Sequence, residues 1–212
     1  MAKLYFHYST MNAGKTTGLL QAAFNYRERG MEVLLFTAAL DNRFGTGQIA
    51  SRIGLKETAH LFSASDDLFA RISALCAAQE TTHESAQEST QEIACIFFDE
   101  AQFLSYDQVW QLARVVDELK LPIMAYGIRT DFQGRLFPGC QALMAIADEL
   151  REVKTICHCG RKATMVVRAD AAGYAVTQGA QVEVGGNDRY IPLCRKHWRS
   201  AYEDGTMVEG IG

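Results

Sequence analysis

Four short apolar runs set the pattern of the first two thirds of the chain. They cover residues 4–9, 32–38, 94–100 and 121–128 and read LYFHYS, EVLLFTA, ACIFFDE and LPIMAYGI. None alternates cleanly between apolar and polar positions, which is typical of strands that are buried on both faces. The runs therefore predict a central sheet that is covered on both sides.

Segments with helical spacing separate these runs. Apolar residues recur every three or four positions across 15–29, 66–78 and 105–120. Gly30 is a natural stop for the first segment, and Ser105 with Gln108 forms a capping box at the start of the third. Strands that alternate with helices predict a parallel α/β sheet flanked by helices.

Two further segments differ in texture. Residues 77–92, AAQETTHESAQESTQE, are polar and of low complexity, so we predict a mobile surface loop there. After about Leu150, glycines and cysteines replace helical periodicity, which is typical of short strands and turns. We therefore predict an α/β domain over 1–150 and a small separate lobe over 151–212.

Composition narrows the classes of partner. The 212 residues carry a net charge of −4 with a pI of about 5.7, which argues against sequence-independent binding to nucleic acid. No apolar run approaches the roughly 18 residues of a membrane span, and the amino terminus is too short and polar for a secretory signal. We expect a cytoplasmic protein with no membrane partner, whose six cysteines are free thiols or metal ligands.

The sequence NAGKTT ends a phosphate-binding pattern of the form GxxxxGK[ST], with Ser9 at the first glycine position. It follows a predicted strand and precedes a predicted helix, as such a loop requires. Gly14 would let the backbone approach phosphates, Lys15 would reach the β- and γ-phosphates, and Thr16 would hold Mg²⁺. Serine can occupy the first position if its backbone dihedrals are ordinary, and we expect that they are.

A second strand, IFFDEAQF at 96–103, ends in two carboxylates. Asp99 stands where a carboxylate that organises Mg²⁺ belongs, and Glu100 would lie near the γ-phosphate as a base. The alternative is a solvated strand end with no catalytic role.

The carboxy-terminal lobe carries a second candidate site. Cys157 and Cys159 form C-x-C, and Cys194 and His197 form C-x-x-H, two close pairs of ligands suited to a tetrahedral, structural Zn²⁺. His158 is an alternative ligand, and unligated thiols are the alternative to a metal site. Apolar surroundings place Cys76, Cys95 and Cys140 in the core.

Four motifs in this order resemble type II thymidine kinases, most closely the bacterial branch. They are STMNAGKTT, DEAQF, YGIRTDFQGRLFPG and, within the cysteine lobe, VEVGGNDRY, and the resemblance runs from about residue 3 to 200. It implies a P-loop, RecA-like fold with a zinc lobe and a lasso-type loop. It also implies transfer of phosphate from ATP to thymidine with Mg²⁺, a homotetramer, and inhibition by thymidine triphosphate.

The resemblance also implies roles for individual residues. Glu100 would be the general base. Backbone groups of the loop between the zinc ligand pairs would grip the thymine, and aromatic side chains would wall the pocket. The implied ATP site is Ser9, Thr10, Met11, Asn12, Ala13, Gly14, Lys15, Thr16, Asp99, Glu100, Ala101 and Gln102. The implied thymidine site is Phe103, Phe132, Phe137, Gln181, Val182, Glu183, Val184, Gly185 and Tyr190.

Some features depart from the family or leave alternatives open. Many relatives have glycine in place of Ser9, and animal members have C-x-x-C where this chain has C-x-C. Arg43 or Arg52 would add positive charge over the phosphates, unless both are ordinary surface arginines. DEAQ also occurs in helicase motors, which need two motor domains, and a P-loop ATPase with a zinc ribbon acting on nucleic acid is the remaining alternative.

Overall fold

The computed structural model describes residues 1–40, 45–83, 92–182 and 189–208. Twelve strands and five helices are formed within these ranges, together with a 3₁₀ turn at Ala101–Phe103 and a π-helical turn at Val115–Leu119. In chain order they are β1 (Leu4–Ser9), α1 (Lys15–Glu28), β2 (Glu32–Ala38), β3 (Gln48–Ala50), β4 (Lys56–Thr58), β5 (His60–Phe62), α2 (Leu68–His83), β6 (Ile93–Phe98), α3 (Tyr106–Arg114), β7 (Ile123–Ile128), α4 (Pro138–Ile146), β8 (Glu149–Glu152), β9 (Thr155–Ile156), β10 (Lys162–Ala163), β11 (Met165–Arg168), β12 (Tyr190–Leu193) and α5 (Arg195–Tyr202).

The central sheet has six strands in the order β5-β2-β6-β7-β1-β8. Every neighbouring pair is parallel, with Leu4 of β1 opposite Ile123 of β7 and Ile96 of β6 opposite the same residue. The predicted parallel α/β class is therefore confirmed. In this order β7 separates β1 from β6, so the carboxyl ends of these two strands lie on the same edge, one strand apart.

Helices cover both faces of the sheet, as runs without alternation require. On one face α1 and the β3–β4 hairpin pack through Leu19, Leu20 and Ile49. On the other face α2, α3 and α4 build the larger core, to which they contribute Leu68, Ile72, Val109, Leu112, Cys140 and Leu143. None of the described helices combines the length and apolarity that a bilayer span requires.

Most predicted elements agree with the structure to within two residues, and the capping box of Ser105 and Gln108 forms at the start of α3. The predicted surface loop at 77–92 is wrong in its first part, since α2 continues to His83, and 84–91 lie outside the described residues. Strands β5 and β8 and the β3–β4 hairpin were not predicted. They have only three or four residues each, too few to show a period.

The carboxy-terminal lobe has its own small core. Two antiparallel pairs, β9–β10 and β11–β12, pack with α5 around residues such as Val167, Leu193 and Ala201. The lobe sits over the end of β1, because Thr10 Oγ1 donates to the Met165 carbonyl at 3.0 Å. The division after residue 150 stays a prediction, and β8 of the central sheet spans it.

Candidate functional site

The turn between β1 and α1 is built to expose backbone N–H groups. Gly14 caps α1 with a φ of 78°, a left-handed conformation that glycine adopts without steric cost. No side chain caps the helix, so the N–H groups of its first turn have no partner within the helix. A helix amino terminus of this kind attracts anions through these N–H groups and the helix dipole.

Lys15 occupies the concave side of this turn. Its ammonium donates to Ser9 Oγ and to the Thr10 carbonyl, each at 2.9 Å. Ser9 is not among the residues with positive φ, which agrees with the expectation of ordinary dihedrals at this position. Ser9 thus supplies a hydroxyl that receives the lysine, a contact that glycine could not make.

The first helical turn meets the carboxyl end of β6. Thr16 Oγ1 donates to Asp99 Oδ2 at 3.1 Å, although the two residues are far apart in sequence. Burial raises the pKa of the Asp99 carboxyl and the neighbouring Glu100 charge raises it further, while hydrogen bonds from Glu100 N and Thr16 act in the opposite sense. A cation beside Asp99 would relieve this penalty, because it favours the ionised carboxylate.

Glu100 stands in an unusual backbone conformation directly after β6. Its φ of 52° is left-handed, and it begins the 3₁₀ turn that follows. Such a conformation costs a non-glycine residue about 1–3 kcal/mol and persists only where surrounding contacts impose it. Asp99 Oδ1 is one such contact, since it accepts from the Glu100 N–H at 3.0 Å.

A hydrogen bond from Gln102 holds the Glu100 side chain. Gln102 is buried, its Oε1 accepts from Ile128 N at 3.1 Å, and its Nε2 donates to Glu100 Oε2. The Ile128 N–H fixes which end of the amide is oxygen, so the amino group must face Glu100. Gly127 permits this approach, because a Cβ there would lie 3.0 Å from Gln102 N and 3.1 Å from Gln102 Oε1.

A cavity of about 330 Å³ opens beside the turn between β1 and α1 (residues 9–16, called the phosphate turn below) and beside the acidic pair, Asp99 and Glu100. Aromatic rings wall it, with Phe103 and Phe137 edge to face at a centroid separation of 6.2 Å. Of the predicted site residues, its lining includes Met11, Asn12, Ala13, Gly14, Lys15, Thr16, Asp99, Glu100, Gln102, Phe103, Phe132, Phe137, Gln181, Val182 and Tyr190.

The other predicted positions fall into two groups. Ser9, Thr10 and Ala101 do not line the cavity and are buried beneath its wall. Glu183, Val184 and Gly185 lie outside the described residues, so the lasso-type loop expected between the zinc ligand pairs is described only in part, over 160–182 and 189–193. Arg52 lines the cavity, whereas Arg43 falls outside the described residues.

Sequence reasoning missed two parts of the cavity. Besides Arg52, residues 48–51 and Ile53, from β3 and the turn after it, also line the cavity. Asp131 is buried in the lining, and its Oδ1 accepts from Gln133 N and Arg135 N at 2.9 and 2.8 Å. It stands inside the motif YGIRTDFQGRLFPG, so the only available signal was a charged residue between an apolar run and an aromatic residue.

The four predicted zinc ligands converge. The Sγ atoms of Cys157, Cys159 and Cys194 and a ring nitrogen of His197 all lie within 4.8 Å of one another. His158 is not part of this group, and its ring instead packs on His197 at a centroid distance of 4.3 Å.

The spacing of these ligand atoms fits a tetrahedral ion. Zn–S bonds of about 2.3 Å place two sulfurs about 3.8 Å apart, and sulfur and nitrogen about 3.5 Å apart. The Cys159 and Cys194 sulfurs are separated by 3.9 Å, and Cys157 Sγ lies 3.3 Å from His197 Nδ1. Four protein ligands would leave no open coordination position, which is typical of a structural zinc site.

Comparison with known proteins gives matches over nearly the whole chain. A family model described as thymidine kinase matches residues 2–198. A thymidine kinase of Ruegeria pomeroyi is 61% identical over 204 residues, which cover 96% of this chain and 97% of that protein. A thymidine kinase of Rhizobium meliloti is 60% identical over 210 residues, covering 99% and 100%. One of Vibrio cholerae is 54% identical over 201 residues, covering 95% and 98%.

The contacts of Gln102 predict its contribution to stability. We expect Gln102→Leu to lower the free energy of unfolding by about 1–3 kcal/mol, because the Ile128 N–H loses its acceptor. Urea unfolding measures the loss, and Gln21→Leu on the exposed side of α1 is the matched control. Equal stability of the two variants would show that the Gln102 bridge contributes nothing to the fold.

Proposed function

Because this chain belongs to the thymidine kinase family, we propose that it transfers the γ-phosphoryl group of ATP to the 5′-hydroxyl of thymidine. The products are ADP and thymidine 5′-monophosphate. The observation that carries this proposal is that the phosphate turn, the acidic pair and the aromatic wall line one cavity. A phosphoryl donor and a flat, largely apolar acceptor can therefore meet in that space.

The phosphates of ATP would occupy the turn from Ser9 to Thr16. Backbone N–H groups at the start of α1 would receive the β- and γ-phosphates. Lys15 would exchange its contacts with Ser9 and Thr10 for the phosphates, a short movement for a flexible side chain. Because the transition state of phosphoryl transfer is loose, placing positive charge around the equatorial oxygens provides much of the rate.

Thr16 and Asp99 would hold Mg²⁺. Their hydroxyl and carboxylate are hard oxygen donors, and they already lie 3.1 Å apart at the edge of the cavity. When bound, the ion would neutralise charge on the β- and γ-phosphates. Ala101 lies behind this pair in the wall and would act by packing.

Glu100 would accept the proton of the 5′-hydroxyl. A primary alcohol has a pKa far above neutrality, so the carboxylate cannot ionise it beforehand and takes the proton late, as the P–O bond forms. The left-handed backbone and the hydrogen bond from Gln102 Nε2 fix the direction of the carboxylate. Positioning is therefore the larger part of the role we assign to Glu100.

Thymidine would bind between the aromatic wall and the carboxy-terminal lobe. Phe103, Phe132 and Phe137 would offer flat apolar faces to the pyrimidine. Tyr190 and the chain from Gln181 to Gly185 would contact its edge through backbone groups, as the resemblance implies. Arg52 also lines the cavity and would face the triphosphate of ATP.

Zinc would have a structural role in this enzyme. Bound to Cys157, Cys159, Cys194 and His197, it would join the β9–β10 turn to the start of α5, in a lobe whose own core is small. The same lobe supplies Tyr190 and Gln181 to the cavity, so the metal would support the nucleoside site indirectly.

The assembly and regulation proposed here rest on the family resemblance. We propose a homotetramer that is inhibited by thymidine triphosphate, the end product of the route that begins with this reaction. A triphosphate of thymidine carries both groups that the cavity would recognise, so it could occupy the nucleoside pocket and the phosphate turn together.

The position of Glu100 yields the first test of this function. With ATP and Mg²⁺ supplied and a panel of nucleosides offered, we expect ADP formation that depends on thymidine. Glu100→Gln should lower kcat at least 100-fold, the order of effect typical of a positioned acid–base group, with the KM for ATP little changed. Glu28→Gln, at an exposed position of α1, is the control.

Two results would contradict the assignment. Wild-type kcat in Glu100→Gln would remove the proposed base. ATP turnover that requires single-stranded nucleic acid and ignores thymidine would favour the alternative, a nucleic-acid-dependent ATPase.

The convergence of the four ligands predicts the metal content. Elemental analysis of the purified protein should find about one zinc per chain, and Cys194→Ser should lose it and melt at a lower temperature. Cys76→Ser, in α2 and outside the cluster, should keep its zinc. A fully folded and active protein that contains no metal would overturn the site.

A further inference from the structure

Arg168 is a buried cation that the sequence motifs did not single out. It ends β11, opposite Tyr190 of β12, and only 2% of it is exposed to solvent. Its guanidinium donates to the carbonyls of Ala180 at 3.1 Å and Gln178 at 3.4 Å. The same group lies 4.0 Å from the centroid of the Phe132 ring.

These contacts connect two walls of the cavity. Phe132 belongs to the aromatic wall, and residues 178–180 lead directly into Gln181 and Val182, which line the same cavity. The guanidinium is planar, always charged and able to direct several N–H donors at once while stacking on a ring. A single side chain thus fixes an aromatic ring and a stretch of backbone relative to each other.

Gly179 shows how closely the backbone is drawn onto Arg168. A Cβ at this position would lie 2.5 Å from Arg168 Nη2, and the φ of 135° is one that side chains rarely adopt. The backbone conformation therefore favours glycine here, and any larger residue would also push the Arg168 guanidinium away.

Other contacts hold the two ends of this segment. The Thr177 carbonyl accepts from Gln133 Nε2 at 2.9 Å and from Tyr202 Oη at 3.0 Å. At the other end, Gln181 Nε2 donates to Asp131 Oδ2 at 2.8 Å. Arg168 thus fastens the middle of a segment whose ends are already tied to the main domain and to α5.

We propose that Arg168 is a positioning residue for the nucleoside site. It sets the path of residues 177–182 and the plane of Phe132 together, so that Gln181 and Val182 line the cavity in one register. This inference rests on the proposed function for its kinetic consequence, but the anchoring itself is a property of the unliganded protein. It explains why a backbone-lined pocket can be selective, because backbone groups recognise a base only when their path is fixed.

Lysine is the informative substitution because it keeps the positive charge but lacks the planar guanidinium with its several N–H donors. We expect Arg168→Lys to raise the KM for thymidine on the order of 10- to 100-fold, since a misplacement of about 1 Å has effects of this size. The KM for ATP should stay within about twofold, because the phosphate turn lies outside the Arg168 contacts. Arg199→Lys, an exposed arginine of the same lobe that pairs with Glu203, is the matched control.

A second variant approaches the same contact from the other side. Gly179→Ala should reproduce the rise in the KM for thymidine, because its methyl group displaces the backbone from the guanidinium. Gly205→Ala is the control, since its φ of 67° is also positive but no atom lies within 4 Å of the added Cβ. This pair keeps the inference testable if Arg168→Lys fails to fold.

Hydrogen–deuterium exchange separates the anchoring from the reaction. Without any ligand, amides of residues 177–182 should exchange at least 10-fold faster in Arg168→Lys than in the wild type, while those of β6 and β7 remain unchanged. Unchanged exchange and an unchanged KM for thymidine would overturn the proposal. A proportional rise in both KM values would also overturn it, because that indicates general destabilisation. A wild type that does not phosphorylate thymidine would refute the proposed function, while the exchange experiment would still decide the anchoring.

Discussion

The hydrogen bond from Thr16 to Asp99 joins the two halves of the candidate site across one intervening strand. The carboxyl ends of parallel strands lie on the same edge of a sheet, and the buried Phe97 and Phe98 anchor the end of β6 in the core. The turn after β1 and the turn after β6 are therefore held within hydrogen-bonding distance by the packing of the whole core. A shift in either strand would separate Thr16 from Asp99.

The other parts of the site are connected to this edge of the sheet by a chain of hydrogen bonds. Asp99 accepts a hydrogen bond from the Glu100 N–H and so supports the left-handed backbone of Glu100. Gln102 links the Glu100 carboxylate to Ile128 of β7. In the carboxy-terminal lobe, hydrogen bonds from Arg168 and to Asp131 hold residues 177–182, of which Gln181 and Val182 line the cavity. In the proposed function, rigid strands would position the phosphates and the segment 177–182 would position the nucleoside, so substitutions in the two parts should have separable kinetic effects.

Local pattern was sufficient for much of this structure. Buried strands, the glycine at the start of α1 and the capping box of α3 each have a signature within a few residues, so the fold class and the strand–turn–helix order at residues 4–28 could be predicted. The short spacing within C-x-C and within C-x-x-H also allowed the four converging ligands to be predicted. The four-residue strand β8 carries no period, and the polar segment after Cys76 continues α2 to His83 without an apolar stripe that would have predicted it.

The missed residues act through partners that are distant in sequence. Arg168 matters because of Ala180 and Phe132, and Asp131 because of Gln181, pairings that only the folded chain creates. In the sequence each is a polar residue near an apolar run, a pattern shared by ordinary surface positions. Chemistry borne by a motif can therefore be predicted, while the side chains that hold a motif in place require coordinates.

The most direct measurement is a crystal structure with Mg²⁺, a non-hydrolysable ATP analogue and thymidine. The β- and γ-phosphates should lie against the first turn of α1, with Lys15 moved from Ser9 to the phosphates and the 5′-hydroxyl beside Glu100. A nucleotide bound elsewhere, with Lys15 still on Ser9 and Thr10, would contradict the proposal that these two strand ends form a phosphoryl-transfer site.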